Sequence, residues 1–162
     1  EGTLLDIGSG SGTIGLESLR IRPNLQLISI DKRFGSKLLI KENAKRLGVT
    51  PLKIIEGNIN ENLNSDLYEM FGDKNRVIIG GCDKKTKINI INKLSKFFKP
   101  DDIVVIPIIT HDISQEILAA LNKLDFETSI NLIQTYKGIS LYEGTRFEPN
   151  NPIFIIKAKR LI

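Results

Sequence analysis

The chain has 162 residues, a formal net charge of +4, one cysteine and one histidine, with 41% hydrophobic and 26% charged residues. These are the proportions of a soluble domain large enough to bury its own core; they exclude an internal disulfide and a cysteine- or histidine-built metal cage, so no metal is expected. No apolar run nears the roughly 20 residues of a membrane span and no signal-peptide pattern opens the chain, so the expected compartment is the cytoplasm.

The chain starts without methionine just ahead of its first predicted strand, and residues 1–162 are read as one domain lacking its natural N-terminal segment. Thr3–Ile7 is a short apolar run ending in glycines, which reads as a buried strand entering a turn. A helix follows until Pro23, then a strand over Gln26–Asp31. Arg33–Leu47 carries Leu38, Leu39, Ile40, Ala44 and Leu47 near helical spacing, with Gly48 placed to close the helix. Leu52–Glu56 is a third strand, and Leu63, Leu67 and Met70 mark a short helix.

Arg76–Gly80 is a fourth strand, followed by a helix with Ile88, Ile91, Leu94 and Phe98 on one face. Asp101–Ile109 is a fifth strand. Asp112 and Gln115 have the spacing of a capping box for a helix bearing Ile113, Ile117, Leu121 and Leu124. Phe126–Tyr136 alternates as a half-buried strand does, a long loop covers Lys137–Asn151, and Ile153–Ala158 is the last strand. Strand–helix alternation requires an α/β, doubly wound, mostly parallel sheet of seven strands. The two successive strands at the end make the last one antiparallel.

The glycine cluster Asp6-Ile7-Gly8-Ser9-Gly10-Ser11-Gly12 admits two fits. Gly10, Gly12 and Gly15 match the dinucleotide pattern G-x-G-x-x-G. Gly8, Gly10 and Gly12 match G-x-G-x-G with an acid at Asp6. The strand register ends at Ile7, so the turn starts at Gly8, which favours the second fit. An acid there suits a ligand carrying an ammonium and a sulfonium and would repel a pyrophosphate. The expected cofactor is S-adenosyl-L-methionine, and Asp6, Gly8, Ser9, Gly10, Ser11 and Gly12 are the expected cradle. Asp31 and Lys32 end the second strand, where a carboxylate can accept both ribose hydroxyls. Asp31 is expected to serve the ligand more than the core. Asn58 and Ile59 follow the third strand, where Asn58 can meet an adenine edge, and Gly80 ends the fourth; Lys32, Ile59 and Gly80 complete the expected cofactor contacts. Glu17 reads as a salt-bridge or core-edge residue.

After the fourth strand stands Ile79-Gly80-Gly81-Cys82, where enzymes methylating amino groups often carry Asn/Asp-Pro-Pro-aromatic. Two glycines suggest an open floor for a bulky, face-on substrate. Asp6–Gly12, Ile79-Gly80-Gly81 and the tail from Thr145 through Asn150-Asn151-Pro152-Ile153-Phe154-Ile155 resemble the decarboxylating precorrin (cobalt-precorrin-6B) C15-methyltransferases of cobalamin biosynthesis. The resemblance covers nearly the whole chain, although Cys82 stands where that family commonly has serine or another small residue. It implies methyl transfer to the C15 bridge carbon of a polycarboxylate tetrapyrrole, loss of carbon dioxide from the ring C acetate, and a homotetramer.

Gly81, Cys82 and Arg146 are candidate substrate contacts, Arg146 because a guanidinium pairs well with carboxylates. Lys84, Lys85 and Lys87 read first as a solvated helix face, with binding of the substrate's carboxylates by some of them as the alternative; Cys82 reads as a small wall residue, and His111 as a surface or cap residue. Tyr136 and Tyr142 either line the macrocycle or cover the loop. No general base stands out. The competing readings are a nucleic-acid methyltransferase, against which stand few aromatics and no interleaved basic stretch, and a non-catalytic nucleotide-binding module. No nucleic-acid or membrane partner is expected.

Overall fold

A computed structural model describes residues 2–162. Apolar runs buried on both faces form the central strands β1 (Gly2–Ile7), β2 (Leu25–Asp31) and β4 (Arg76–Ile79), as a sheet covered on both sides requires. Around them lie β3 (Lys53–Glu56), β5 (Ile103–Ile108), β6 (Phe126–Ile133), β7 (Tyr136–Leu141), β8 (Gly144–Pro149) and β9 (Ile153–Arg160). The helices are α1 (Thr13–Ile21), α2 (Ser36–Leu47), the one-turn α3 (Ile59–Asn62) and α4 (Ser65–Tyr68), α5 (Lys84–Leu94) and α6 (Ser114–Asn122). The main sheet has seven strands in the order β3-β2-β1-β4-β5-β9-β6. β9 runs antiparallel to both its neighbours, and the other pairs are parallel.

Strand alternation divides the core. Leu4, Leu27 and Ile78 pack with Leu16, Leu19, Ile40 and Ala44 under α1 and α2. Their strand neighbours Leu5, Ile28, Val77 and Ile79 pack on the other face with Ile90, Ile91, Leu94, Ile117 and Leu121 of α5 and α6. At the amino ends of β4 and β5, the buried Asp102 carboxylate accepts from the Asn75 N–H (2.6 Å), the Asn75 amide and the Lys99 N–H (2.9 Å). That tie fixes two strands whose opposite ends border the cleft. Pro107 lies beyond Val105, the last β5 residue registered with β4, where a missing N–H costs that ladder nothing. No described helix is long and apolar enough to cross a membrane.

The expected elements form, with three corrections. α2 starts at Ser36, after Gly35 turns left-handed (φ 81°), and its buried residues are Ser36, Ile40 and Ala44, leaving Leu38 and Leu39 exposed. Asp112 caps nothing. His111–Ile113 forms a 3₁₀ turn that runs straight into α6, so no extended residue is available as cap, and the Ser114 hydroxyl instead donates to the His111 carbonyl at 2.6 Å. The expected loop over 137–151 is mostly a β-hairpin, in which β7 and β8 pair from Tyr136↔Pro149 to Leu141↔Gly144. Nearly all of its residues are exposed, so it lacks the one buried face that makes a strand pattern visible in sequence.

The junction of β1 and α1 positions everything that follows. Asp6, 2% exposed, turns its carboxylate under the helix and accepts from the Gly15 N–H at 3.1 Å. A Cβ on Gly15 would stand 2.8 Å from that carboxylate and from Leu27, so glycine lets α1 lie close on the sheet. Burial pushes the Asp6 carboxyl up from 3.8 to about 6; the Gly15 N–H partly opposes the shift and the charge of Asp31 adds to it. The native state therefore keeps a proton that the unfolded chain loses above about pH 4. Stability contributed by this group is full below that pH and is lost as pH rises toward 6, on the order of 3 kcal/mol in total. Asp6→Asn should flatten that part of the curve in urea denaturation between pH 4 and 7. Identical pH dependence in the two proteins would contradict the assignment.

Candidate active site

The direction of chain winding reverses between β1 and β4, and the carboxyl ends of these neighbours open a crevice. β1 ends at Ile7, as the register required, and Gly8, Gly10 and Gly12 follow with φ of 70°, 64° and 81°. The Gly8 and Ser9 N–H groups donate to the Ile30 carbonyl at 2.8 and 3.2 Å, locking the turn to β2. A Cβ on Gly8 would lie 2.5 Å from the Gly80 carbonyl oxygen, and one on Gly81 3.1 Å from that of Gly8. The turns after β1 and β4 thus touch backbone to backbone. Gly80-Gly81 borders the cleft as an open floor would; the contact demands glycine at Gly8 and Gly81, while a Cβ on Gly80 would meet only ordinary contacts at 3.6 Å and beyond.

Gly12 is the N-cap of α1 and supplies no capping side chain, so N–H groups of the first turn remain available. Nearby, the buried Ser9 hydroxyl has no hydrogen-bond partner among the described residues. Ser11 shares a 2.7 Å hydroxyl contact with Thr13, and its carbonyl accepts from Asn43 at 2.9 Å. A left-handed glycine turn with an orphaned hydroxyl beside free helix N–H groups fits the carboxylate end of an amino-acid-bearing cofactor.

Asp31 ends β2 almost fully buried. Its carboxylate accepts from the Gly10 N–H (2.6 Å), the Arg33 N–H (2.9 Å) and the Arg33 guanidinium (3.0 Å). Burial alone would raise its pKa, but the Arg33 side chain, the Arg33 N–H and the Gly10 N–H outweigh that and hold it below the usual carboxylate range. Asp31 therefore braces the glycine turn as well as facing the cleft. Asn58 accepts from the Asn60 N–H at 3.0 Å as the cap of α3, and Ile59 is buried beside it.

The cleft has a volume of about 830 Å³, within the usual range for ligand sites. Gly8, Asp31, Lys32, Asn58, Ile59, Gly80, Gly81 and Cys82 line it. Asp6, Ser9, Gly10, Ser11 and Gly12 are not among its lining residues: Asp6 and Gly12 are buried, and Ser9, Gly10 and Ser11 continue the turn from Gly8 partly exposed. Arg146 is not brought there: it sits on β8 and pairs with Glu148. Burial pushes the Cys82 thiol up, the Lys87 ammonium only partly opposing, so it remains a protonated wall residue. His111 lies against Phe154 with ring centroids 5.1 Å apart, and Glu17 pairs with Arg20 at 2.7 Å.

Sequence reasoning left Asn60, Asp83, Thr86 and two cations of the cleft out of the site. Arg33 is one, two positions after Asp31. Lys87 is the other, read first as solvated but 4% exposed. Its signal was the spacing Lys87, Ile90, Ile91, Leu94, which is the buried stripe of α5.

A cobalt-precorrin-6B C15-methyltransferase (decarboxylating), so named as probable, from Methanosarcina mazei is 24% identical over 155 residues, covering 96% of this chain and 81% of that protein. A Salmonella typhimurium protein of the same name is 23% identical over 97% of this chain and 78% of its own. The crystal structure of a precorrin-6Y C5,15-methyltransferase from Geobacter metallireducens superposes with a TM-score of 0.81 at 21% identity, covering 99% of this chain and 82% of that one. The family model for the precorrin methyltransferase domain matches residues 1–160, and this chain belongs to that family.

Proposed function

We propose that the protein transfers a methyl group from S-adenosylmethionine to the C15 bridge carbon of a precorrin or cobalt-precorrin, with loss of carbon dioxide from the ring C acetate, in cobalamin biosynthesis. The observation that carries this reading is convergence on one cleft of Gly8, which opens the glycine turn, with Asp31 and Gly80-Gly81, in a chain of the precorrin methyltransferase domain family. When bound, the donor supplies a methyl carbon on a sulfonium, an electrophile that needs no acid or base from the protein.

The residues divide the remaining work. The backbone of Gly8–Gly12, the Ser9 hydroxyl and the first turn of α1 receive the methionine part. Asp31 accepts the ribose hydroxyls once the exposed Arg33 guanidinium turns aside, with Lys32 at the rim. Asn58 and Ile59 flank the adenine. Asp6 acts from behind, holding α1 through Gly15. Gly80, Gly81 and Cys82 form the floor for the macrocycle, and the protein's contribution is orientation and exclusion of water. Self-association, a tetramer by the family resemblance, is supported by the exposed Leu132, Ile133, Tyr136 and Phe147 on β6 and the hairpin.

Incubation with cobalt-precorrin-6B and donor carrying a labelled methyl should place the label at C15 with release of one carbon dioxide. Calorimetry should show S-adenosylhomocysteine binding and no response to NAD. Tight RNA binding that falls steeply with log salt concentration, without tetrapyrrole product, would overturn the substrate assignment.

Asp31→Ala should weaken donor binding by roughly 1–3 kcal/mol, and because Gly10 loses its acceptor it should also lower stability by about 1 kcal/mol. Loss of stability with donor affinity intact would reduce Asp31 to a brace.

A further inference from the structure

We propose that the Lys87 ammonium binds a carboxylate of the substrate and so sets the macrocycle's orientation over the Gly80-Gly81 floor. The proposal rests on the tetrapyrrole reading above for the identity of the ligand.

The geometry is that of a cation built into the cleft wall. Lys87 lies in the first turn of α5, 4% exposed, and it borders the same cleft as Gly80, Gly81 and Cys82. Its ammonium donates to the Cys82 carbonyl at 2.9 Å and lies 3.7 Å from the Cys82 sulfur. An ammonium carries three donors, so this arrangement fixes its aim and leaves capacity for a further acceptor.

The charge pattern points to an anion. Lys84 pairs with Glu116 at 2.6 Å, Lys99 with Asp73 at 2.9 Å and Lys159 with Asp101 at 2.7 Å, all well exposed. Lys87, far more buried, has no carboxylate partner among the described residues. Asp83 borders the same cleft, but its carboxylate is engaged by the Thr86 N–H and hydroxyl at 2.9 and 2.8 Å. A buried cation without a counter-charge is costly, and exposed pairs contribute little, so the unpaired one is where a ligand anion gains most.

The chemistry narrows which carboxylate it holds. Decarboxylation moves negative charge from the departing carboxylate into the ring, and a cation paired to that carboxylate would stabilise the state to be left. Lys87 therefore holds a carboxylate that stays, and it contributes to binding and orientation rather than to the bond-breaking step.

Lys87→Met keeps an unbranched side chain one atom shorter and removes the charge. Its KM for cobalt-precorrin-6B should rise at least tenfold with kcat changed less than threefold, the donor Kd unchanged and the unfolding midpoint at or above that of the wild type. Lys87→Arg should recover part of the affinity. Binding of uroporphyrin, a tetrapyrrole with eight carboxylates, gives a readout independent of turnover and should weaken at least tenfold in Lys87→Met. Failure of the wild type to turn over cobalt-precorrin-6B, with uroporphyrin still bound through Lys87, would defeat the proposed reaction and leave this inference standing. Equal uroporphyrin affinity in wild type and Lys87→Met, or none in either, would overturn it.

Discussion

β1 and β4 are parallel neighbours that end side by side, and the chain leaves the sheet twice at one place. The turn after β1 runs to a helix on one face, and the turn after β4 to a helix on the other. Both pass so close that Gly8 and Gly80-Gly81 touch through backbone atoms, with a Cβ on Gly8 falling 2.5 Å from a carbonyl oxygen. The site is built outward from that contact. It brings the left-handed glycine turn, the exposed start of α1 and the entry to α5 to the rim of one crevice, with no side chain between them.

Charge is distributed about the contact in two halves. On the β2 side Asp31 faces the cleft, paired with Arg33 and next to Lys32, with Asp6 buried beneath α1. On the β4–α5 side stands the buried ammonium of Lys87. A carboxylate and an ammonium on opposite sides of the cleft accord with the proposed cationic donor and polycarboxylate acceptor. The sequence holds few groups for acid–base chemistry, and the one thiol at the site is kept protonated by burial. Methyl transfer between an activated donor and an electron-rich ring asks for little more than position and dryness.

The parallel core was readable because its strands are unbroken apolar runs and its helices carry stripes at 3.6-residue spacing. The glycine turn was readable for a stricter reason: three residues with positive φ leave little choice of side chain. What escaped the sequence was whatever depends on which face meets which neighbour. Lys87 was weighed as a substrate contact but read first as a solvated lysine, because lysine usually is one, although it continues the stripe of Ile90, Ile91 and Leu94. The hairpin escaped because neither of its faces is buried within the chain, so its strands leave no alternation of apolar and polar residues. Arg146 looked like a substrate ligand by type, but the fold places it on that hairpin beside Glu148. Asp31 was legible as a site residue, while its bond to Gly10, 21 positions earlier, was not.

The backbone contact can be tested with two alanines. A methyl group on Gly8 would enter the Gly80 carbonyl and must also sit at φ 70°, whereas one on Gly80 would meet nothing closer than 3.6 Å. Urea denaturation and donor titration of Gly8→Ala and Gly80→Ala compare the two directly. The account predicts that Gly8→Ala loses donor binding and at least roughly 2 kcal/mol of stability, with Gly80→Ala within about 1 kcal/mol of the wild type. Wild-type stability and donor affinity in Gly8→Ala would contradict it.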